Sequence, residues 1–176
     1  MKRLLCIGLL ALLFSRTFSQ NGQMFTDKID ARFGFRDIKL ESDLNQLKSK
    51  QLLKIEDDGP KKYYKSKVED LKLGDYHLKS VTYGFYKGQL MTINIETKGL
   101  SNSTGLLNIL RESYGNGFKG NEYLEQYLWK SEKVSILYDQ NPVTNNAVVS
   151  ITSTKLEDLS SAEEGEKDKK ASKQAF

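Results

Sequence analysis

The clearest alternation of apolar and polar side chains runs through VTYGFYKGQLMTINIET, residues 81–97. Met91, Ile93 and Ile95 alternate with polar residues, which is the period of two expected for a strand with one buried face and one wet face. Lys87-Gly88 interrupts the pattern, and glycine supplies the positive φ angle that a tight hairpin turn requires. The pattern therefore predicts two antiparallel neighbouring strands, with the three apolar side chains of the second strand on one face.

A second alternating region covers residues 123–156. Its apolar positions are Val134, Ile136 and Tyr138 before the turn-rich DQNPVTNN segment, and Ala147, Val149 and Ile151 after it. Short runs with this period, bounded by turn residues, are typical of strands. The region therefore predicts a three-stranded antiparallel meander.

Two segments have helical patterns instead. Ser42 is suited to be the N-cap of a helix over Asp43–Lys54, which should end before the turn-forming Asp57-Asp58-Gly59-Pro60. A second helix is predicted over Ser103–Tyr114, with Gly115 as its C-terminal stop. Helices and antiparallel strands together predict an α+β fold, in which one face of an antiparallel sheet carries both helices.

The two halves of the chain could be related by duplication. Residues 85–95 can be placed over residues 128–138, which matches Tyr86 to Trp129 and Ile93 to Ile136. Any two antiparallel hairpins share alternation, however, so the match leaves open whether the chain contains two helix-plus-meander repeats or two unrelated hairpins.

The last twenty residues differ in composition from the rest. Residues 157–176 contain six acidic and four basic side chains and no aromatic side chain before Phe176. Such a segment buries too little apolar surface to offset the entropy of ordering it. We therefore predict one α+β domain over residues 20–156 and a disordered, charged tail over residues 157–176, outside the fold.

The N-terminus has the pattern of a cleaved export signal. Lys2 and Arg3 precede the apolar run Leu4–Phe14, which at eleven residues is too short for a spanning helix. Small residues before Gln20 predict cleavage after Ser19, so residues 1–19 are a signal peptide. Cys6 lies at the start of the apolar run, where a lipid-anchor cysteine is not expected. The mature chain should then be periplasmic or secreted, without a stable membrane span.

Removal of the signal changes the charge and the cysteine content. The mature chain would have 24 basic and 23 acidic residues, a net charge of +1, compared with +4 for the full chain. A nearly balanced charge gives no reason to expect a nucleic-acid partner. Because the single cysteine is also removed, no disulfide or thiolate ligand is available, and no cofactor is expected.

Two stretches resemble a known class of proteins. FGFRDIKLESDLNQL, residues 33–47, resembles the opening of small exported envelope proteins of the Bacteroidota type, and Trp129–Tyr138 is similar to the sheet end of such proteins. More distantly, the order of helix and meander is similar to the small protein A family of outer-membrane-assembly lipoproteins. This chain lacks that family's mature N-terminal cysteine, and its Gly-x-Pro appears only as Gly59-Pro60. The resemblance implies residence in the bacterial envelope and a binding or structural role.

Candidate chemistry is sparse, and the aromatic residues of the strands are the best candidates for binding. His77, the only histidine, lies in a strand-like run without a nucleophile elbow nearby, and we expect it to be a strand residue. No catalytic or metal-ligating residue is predicted. The predicted binding residues are Tyr83, Tyr86, Tyr127 and Trp129, and those on the sheet face away from the helices could form the binding surface. Alternation puts Tyr83 on one face and Tyr86 on the other, and the alternative is that these aromatics pack in the core or across strands.

Three functions fit this pattern. The first is a non-catalytic module that binds an envelope protein or a surface component through its sheet. The second is a carrier of a small ligand or a lipid, which needs a closed apolar cavity. The third, a hydrolase, needs carboxylates or His77 in a cleft. The sequence favours the first.

Overall fold

The computed structural model describes residues 27–175, with only the backbone for residues 171 and 173–175. A helical segment over residues 27–32 comes first. The strands are β1 Gly34–Phe35, β2 Ile38–Lys39, β3 Leu52–Asp58, β4 Lys61–Ser66, β5 Lys72–Leu73, β6 Tyr76–Tyr86, β7 Gln89–Thr97, β8 Gln126–Lys130, β9 Val134–Gln140 and β10 Ala147–Ser153. A 3₁₀ helix spans Leu44–Lys50, and two α-helices follow, α1 Leu100–Tyr114 and α2 Thr154–Ala175. The predicted signal peptide lies outside the described residues.

The strands form one large antiparallel sheet. Its order is β3-β4-β6-β7-β10-β9-β8, with the short β5 paired to one end of β6, while β1 and β2 form a separate two-stranded sheet. Strands β7 and β10 therefore join an N-terminal meander to a C-terminal one at the centre. Helices packed on an antiparallel sheet confirm the predicted α+β class.

The predicted hairpin is confirmed, with one correction. Strands β6 and β7 pair across Lys87 and Gly88, whose φ angles are 49° and 85°. The register shifts by one residue inside this hairpin: Gly84 pairs with Thr92, but the next residue, Phe85, pairs with Leu90. Met91 therefore has no partner residue on β6. Met91 consequently packs apart from Ile93 and Ile95, and the prediction that all three share a face is wrong.

The C-terminal meander is also confirmed, since β8, β9 and β10 pair in sequence order. Whether the two halves are true repeats stays a prediction. The alignment that matches them places the β6–β7 hairpin over β8–β9. In the sheet, β7 and β10 are the two strands that meet at the centre, so β6–β7 occupies the position that corresponds to β9–β10.

The first predicted helix is too long and of the wrong type. The structure has a 3₁₀ helix over Leu44–Lys50, and Gln51 then adopts a left-handed conformation with φ 48° before β3 begins. The helix starts after Asp43, whose backbone N–H donates to Gln46 Oε1 at 3.1 Å, and not after Ser42. The Asp57–Pro60 cluster therefore forms a turn between β3 and β4, because the chain is already a strand there.

Helix α1 contains the second predicted helix and begins three residues earlier, at Leu100. It ends at Gly115, whose N–H donates to Arg111 O at 2.8 Å, as predicted. Its buried side includes Leu106, Leu107 and Leu110. Gly105 lets this helix approach the sheet closely, because a Cβ atom there would lie 2.3 Å from the Tyr76 ring.

Helix α1, the 3₁₀ helix and the segment over residues 27–40 contribute to one extended apolar cluster with the sheet. We call this side of the sheet the core face. Its residues from the large sheet are Leu78, Val81, Tyr83, Phe85, Leu90, Ile93, Ile95, Tyr127, Trp129, Val134, Ile136, Tyr138, Ala147, Val149 and Ile151.

The predicted disordered tail is instead part of a helix. Helix α2 begins at Thr154, so the domain boundary predicted at Glu157 falls inside a regular element. Leu156 is 2% exposed and packs with Tyr86 and Met91, and Ser160 is 3% exposed. The prediction of a tail outside the fold is therefore wrong for the first turns of this helix.

Candidate functional site

The four predicted binding aromatics are all buried, but they do not lie on one face. Tyr83, Tyr127 and Trp129 belong to the core face, as in the packing alternative. Tyr86 lies on the other side of the sheet, in the small cluster with Met91 and Leu156. Their binding role stays a prediction, and a partner could contact them only after the elements that cover them move.

Polar contacts hold the three core aromatics in place. The Trp129 indole Nε1–H donates to Gly115 O at 2.9 Å, and Tyr127 Oη donates to Glu125 Oε2 at 2.9 Å. Tyr83 Oη donates to Glu69 Oε2 at 2.5 Å, and burial together with this bond raises the pKa of the phenol. These satisfied groups are typical of a packed core.

The opposite side of the sheet, which we call the cleft face, is mostly polar. Residues directly opposite in antiparallel strands share a face. The paired positions therefore define one row across it: Phe118, Leu128, Leu137, Ser150, Asn94, Thr82 and Lys65. The next row contains Lys130, Ser135, Thr152, Thr92, Gly84 and Tyr63.

One end of the cleft face is apolar and exposed. Phe118 is 70% exposed and Leu137 is 37% exposed in the first row, and Val148, on the same face of β10, is 40% exposed. Two hydrogen bonds hold Phe118 in register: Phe118 N–H donates to Leu128 O at 2.7 Å, and Leu128 N–H donates to Phe118 O at 2.9 Å. These side chains form an apolar border beside the hydroxyl groups at the centre of the sheet.

Helix α2 crosses the other end of the cleft face. Ser153 acts as its N-cap, because its Oγ accepts a hydrogen bond from Leu156 N–H at 3.3 Å. Leu156 then packs with Tyr86 and Met91 on the sheet. The start of the helix is also tied to the N-terminal segment, since Ser153 Oγ and Lys155 Nζ donate to the Glu41 carboxylate at 2.8 and 2.9 Å.

Two carboxylates further along helix α2 are bound to basic residues of the sheet. Glu163 pairs with Lys87 Nζ at 2.6 Å and accepts a hydrogen bond from Tyr86 Oη, and these two contacts lower its pKa to about 2. Glu164 Oε1 lies 2.7 Å from Lys61 Nζ. The helix is thus attached by one buried leucine and a group of ion pairs at the end of the sheet.

A cleft of about 370 Å³ lies between helix α2 and the cleft face. Ligand sites in proteins usually occupy roughly 300–1,000 Å³. Hydroxyl groups dominate the lining, which includes Thr92, Ser135, Ser150, Thr152, Ser160 and Ser161. Met91, Leu128 and Leu137 add apolar surface to the same cleft.

The cleft hydroxyls differ in how well they are paired within the protein. Thr92 Oγ1 and Thr152 Oγ1 are 3.1 Å apart, and Ser150 Oγ donates to Asn94 Oδ1 at 2.8 Å. Ser160 Oγ, by contrast, is buried and has no hydrogen-bond partner among the described residues. A buried hydroxyl without a partner is costly, which distinguishes Ser160 from the paired hydroxyls of the cleft.

Charged groups lie at the edges of the cleft. Lys61 lines it, but its ammonium group is paired with Glu164; Glu157 is the carboxylate of the lining. His77 is exposed on β6 opposite Lys72 of β5 and does not line the cleft. Within residues 27–175, no group of three histidine or acidic side chains could hold a metal ion.

The cleft residues are not among the predicted site residues, although the sequence contains a signal for them. Thr92 and Asn94 on β7, and Ser150 and Thr152 on β10, are the polar positions of the two alternating runs. Alternation shows that these side chains share a face within each strand. It does not show that β7 and β10 are neighbours, because residues 98–146 separate the two strands in the sequence.

Comparison of the chain with protein-family models, curated proteins and solved structures finds no match. In the part of the chain that the structure describes, no helix has the length and apolar character needed to cross a membrane.

Proposed function

We propose that this protein is a non-catalytic binding module of the bacterial envelope, and that the cleft face is its binding surface. The partner is an envelope protein or a component of the cell surface. The observation that carries the proposal is the exposed apolar border, Phe118, Leu137 and Val148, directly beside a cleft with an unpaired buried hydroxyl. A surface with this mixture of apolar and hydrogen-bonding groups is suited to recognition.

The fold supports this assignment because the surface is built on strands. Leu137 and Val148 lie on β9 and β10, whose other faces are fully packed against the core. Side chains on such a framework keep their positions without the cost of ordering a loop on binding. Export and envelope residence rest on the signal-like N-terminus and on the resemblance described above.

A carrier of a small polar ligand is the second candidate, and the cleft favours it. Its volume of about 370 Å³ is sufficient for a small molecule. The cleft is open and lined by hydroxyl groups, so it does not suit a lipid. A hydrolase has less support, because Glu157 is the carboxylate of the described cleft residues and none of them is a histidine.

The proposal is tested by placing a charge in the apolar border. Leu137→Glu should abolish affinity capture of the envelope component, because a carboxylate covered by the partner must be desolvated. Val143→Glu is the matched control, since Val143 is 85% exposed in the loop between β9 and β10. Both variants should keep the wild-type circular dichroism spectrum and melting temperature.

Capture should therefore be lost in Leu137→Glu and retained in Val143→Glu. If Leu137→Glu is folded and captures the same component with unchanged yield, the cleft face is not the binding surface. A His77-dependent or metal-dependent activity in the purified chain would overturn the non-catalytic assignment.

A further inference from the structure

We infer that the cleft beneath helix α2 binds a neutral, polyhydroxylated ligand of the saccharide class. This inference rests on the proposed function, since it identifies the chemistry of the surface component that the cleft face would recognise. It is carried by the lining of the cleft, the pairing of its charges and the unpaired hydroxyl of Ser160.

The hydroxyl groups of the cleft match a ligand whose own polar groups are hydroxyls. A serine or threonine hydroxyl has one donor and two acceptor positions, so it can pair with a sugar hydroxyl in either direction. Thr92 and Thr152 already pair with each other, yet each of these oxygens retains further hydrogen-bonding capacity. The two rows of the sheet thus present a set of adaptable neutral groups.

Ser160 supplies the observation that points to a missing partner. Its side chain is almost completely buried, it lines the cleft, and its Oγ has no hydrogen bond within the described chain. Buried polar groups in folded proteins are nearly always paired with protein or ordered water. Because the Oγ atom itself has almost no accessible surface, a ligand hydroxyl in the cleft would pair with it after the Ser160 side chain rotates toward the cleft.

The charges of the cleft exclude an anionic ligand. Lys61 is the basic residue of the described lining, and the Glu164 carboxylate lies 2.7 Å from its ammonium group. Glu157, on the helix wall, would repel a phosphate or carboxylate group. An uncharged ligand does not need a free ammonium group and is not repelled by Glu157.

The apolar side chains of the cleft also suit a saccharide. A pyranose ring has a C–H face that packs against apolar or aromatic side chains, while its hydroxyl groups extend around the rim. Leu128 and Leu137 line the cleft, and the exposed Phe118 continues their row outward. A purely apolar ligand would leave the surrounding hydroxyls unpaired, which disfavours a lipid chain.

The test uses the chain over residues 20–176 and four uncharged probes: glucose, N-acetylglucosamine, maltotriose and tri-N-acetylchitotriose. Binding is measured by ligand-observed NMR and by titration calorimetry at millimolar probe concentrations. Glucose 6-phosphate serves as the anionic comparison and the uncharged alcohol 1-octanol as the apolar one. We expect at least one uncharged probe to bind more tightly than both.

Two buried, unpaired hydroxyls provide a matched pair of variants. Ser160→Ala removes the one that lines the cleft, whereas Thr154→Val removes another at the start of the same helix that does not line it. Ser160→Ala should weaken binding of the saccharide roughly two- to tenfold, the loss expected for one neutral hydrogen bond. Thr154→Val should bind as the wild type does.

Three outcomes would overturn the inference: no uncharged probe binds, an anionic or apolar probe binds more tightly, or both variants have the same effect. If any of these three outcomes occurs while Leu137→Glu still abolishes capture of the envelope component, the proposed ligand class is wrong but the proposed binding surface is right. If Leu137→Glu also has no effect, the proposed function fails as well.

Discussion

The two faces of the central sheet are built from the same strands but have different roles. On the core face, Tyr83, Ile93, Tyr138 and Val149 are completely buried. On the cleft face, the alternate positions of the same strands are mainly hydroxyl and amide side chains. The core face therefore supplies the apolar burial that stabilises the domain. The other face is then free to carry groups suited to recognition.

The elements that cover the two faces are also held by different contacts. The core face is covered by helix α1 and by the segment before β3 through many apolar side chains. Helix α2 contacts the cleft face through Leu156 and through ion pairs at Lys61 and Lys87, which are partly exposed. Exposed ion pairs contribute little to stability, so helix α2 should be the more weakly held covering.

The largest difference is expected when an aromatic residue of the core face is truncated. Trp129→Ala should lower the free energy of unfolding by roughly 3–5 kcal/mol, because the indole is buried and its N–H is paired. Tyr123→Ala is the control, since Tyr123 is 94% exposed, and it should change stability by less than about 0.5 kcal/mol. Urea denaturation measures both values.

A stable Trp129→Ala variant would contradict the roles assigned to the two faces. If Trp129→Ala retained wild-type stability but lost capture of the envelope component, the residue would be a binding anchor. The core face, and not the cleft face, would then be the one that recognises the partner.

A smaller effect is expected for the attachment of helix α2. Leu156→Ala should cost about 2 kcal/mol, the lower end for a buried leucine, because its apolar cluster contains only two other residues. Leu159→Ala provides the control, since Leu159 is 52% exposed on the same helix and its truncation should have little effect. Thermal unfolding gives the stabilities, and hydrogen exchange of residues 154–166 shows whether the helix has detached.

Equal stabilities for the two leucine variants would contradict the docking of this helix. Truncation after Ser153 would then leave the melting temperature unchanged, as expected for a tail outside the fold.

The smallest effect is expected for the pH dependence of the contact between Glu163 of helix α2 and Lys87. The Lys87 ammonium and the Tyr86 hydroxyl hold the pKa of Glu163 at about 2, below the ordinary value of 4.5. Because this pKa is lowered, the contribution of the Glu163 carboxylate to stability is fully present above pH 4.5 and is lost as the pH falls toward 2. In an NMR titration, the amide signals of Lys87 and Glu163 should therefore shift between these pH values.

Glu163→Gln should remove that pH-dependent shift at Lys87, while Glu166→Gln, at an exposed position of the same helix, should preserve it. A shift at Lys87 that persists in Glu163→Gln would show that another group titrates at this contact.

Local pattern was sufficient to predict the hairpin and the meander, because alternation and the Lys87-Gly88 turn act over neighbouring residues. It failed at Met91, since one unpaired residue in β7 reverses the face of a side chain without changing the sequence period. It also failed after Lys50, where the left-handed Gln51 ends the 3₁₀ helix and the chain turns into β3.

The remaining errors depend on contacts between distant residues. The composition of residues 157–176 indicates disorder, but Leu156 meets Tyr86 and Met91, and Glu163 meets Lys87. Alternation placed Tyr83 and Tyr86 on opposite faces, as the structure confirms, yet it could not show which elements cover each face. The cleft likewise appears only when β7, β10 and helix α2 are brought together.

The most direct test of the account is a methyl NMR spectrum of the chain with and without its captured envelope component. Val148 and Val149 are neighbours in β10, and they lie on the cleft face and the core face respectively. The account predicts that the methyl signals of Leu128, Leu137 and Val148 shift on binding, while those of Val149 and Ile151 stay at their free positions. Shifts of comparable size at Val149 and Ile151, or shifts confined to Val143 in the exposed loop, would contradict it.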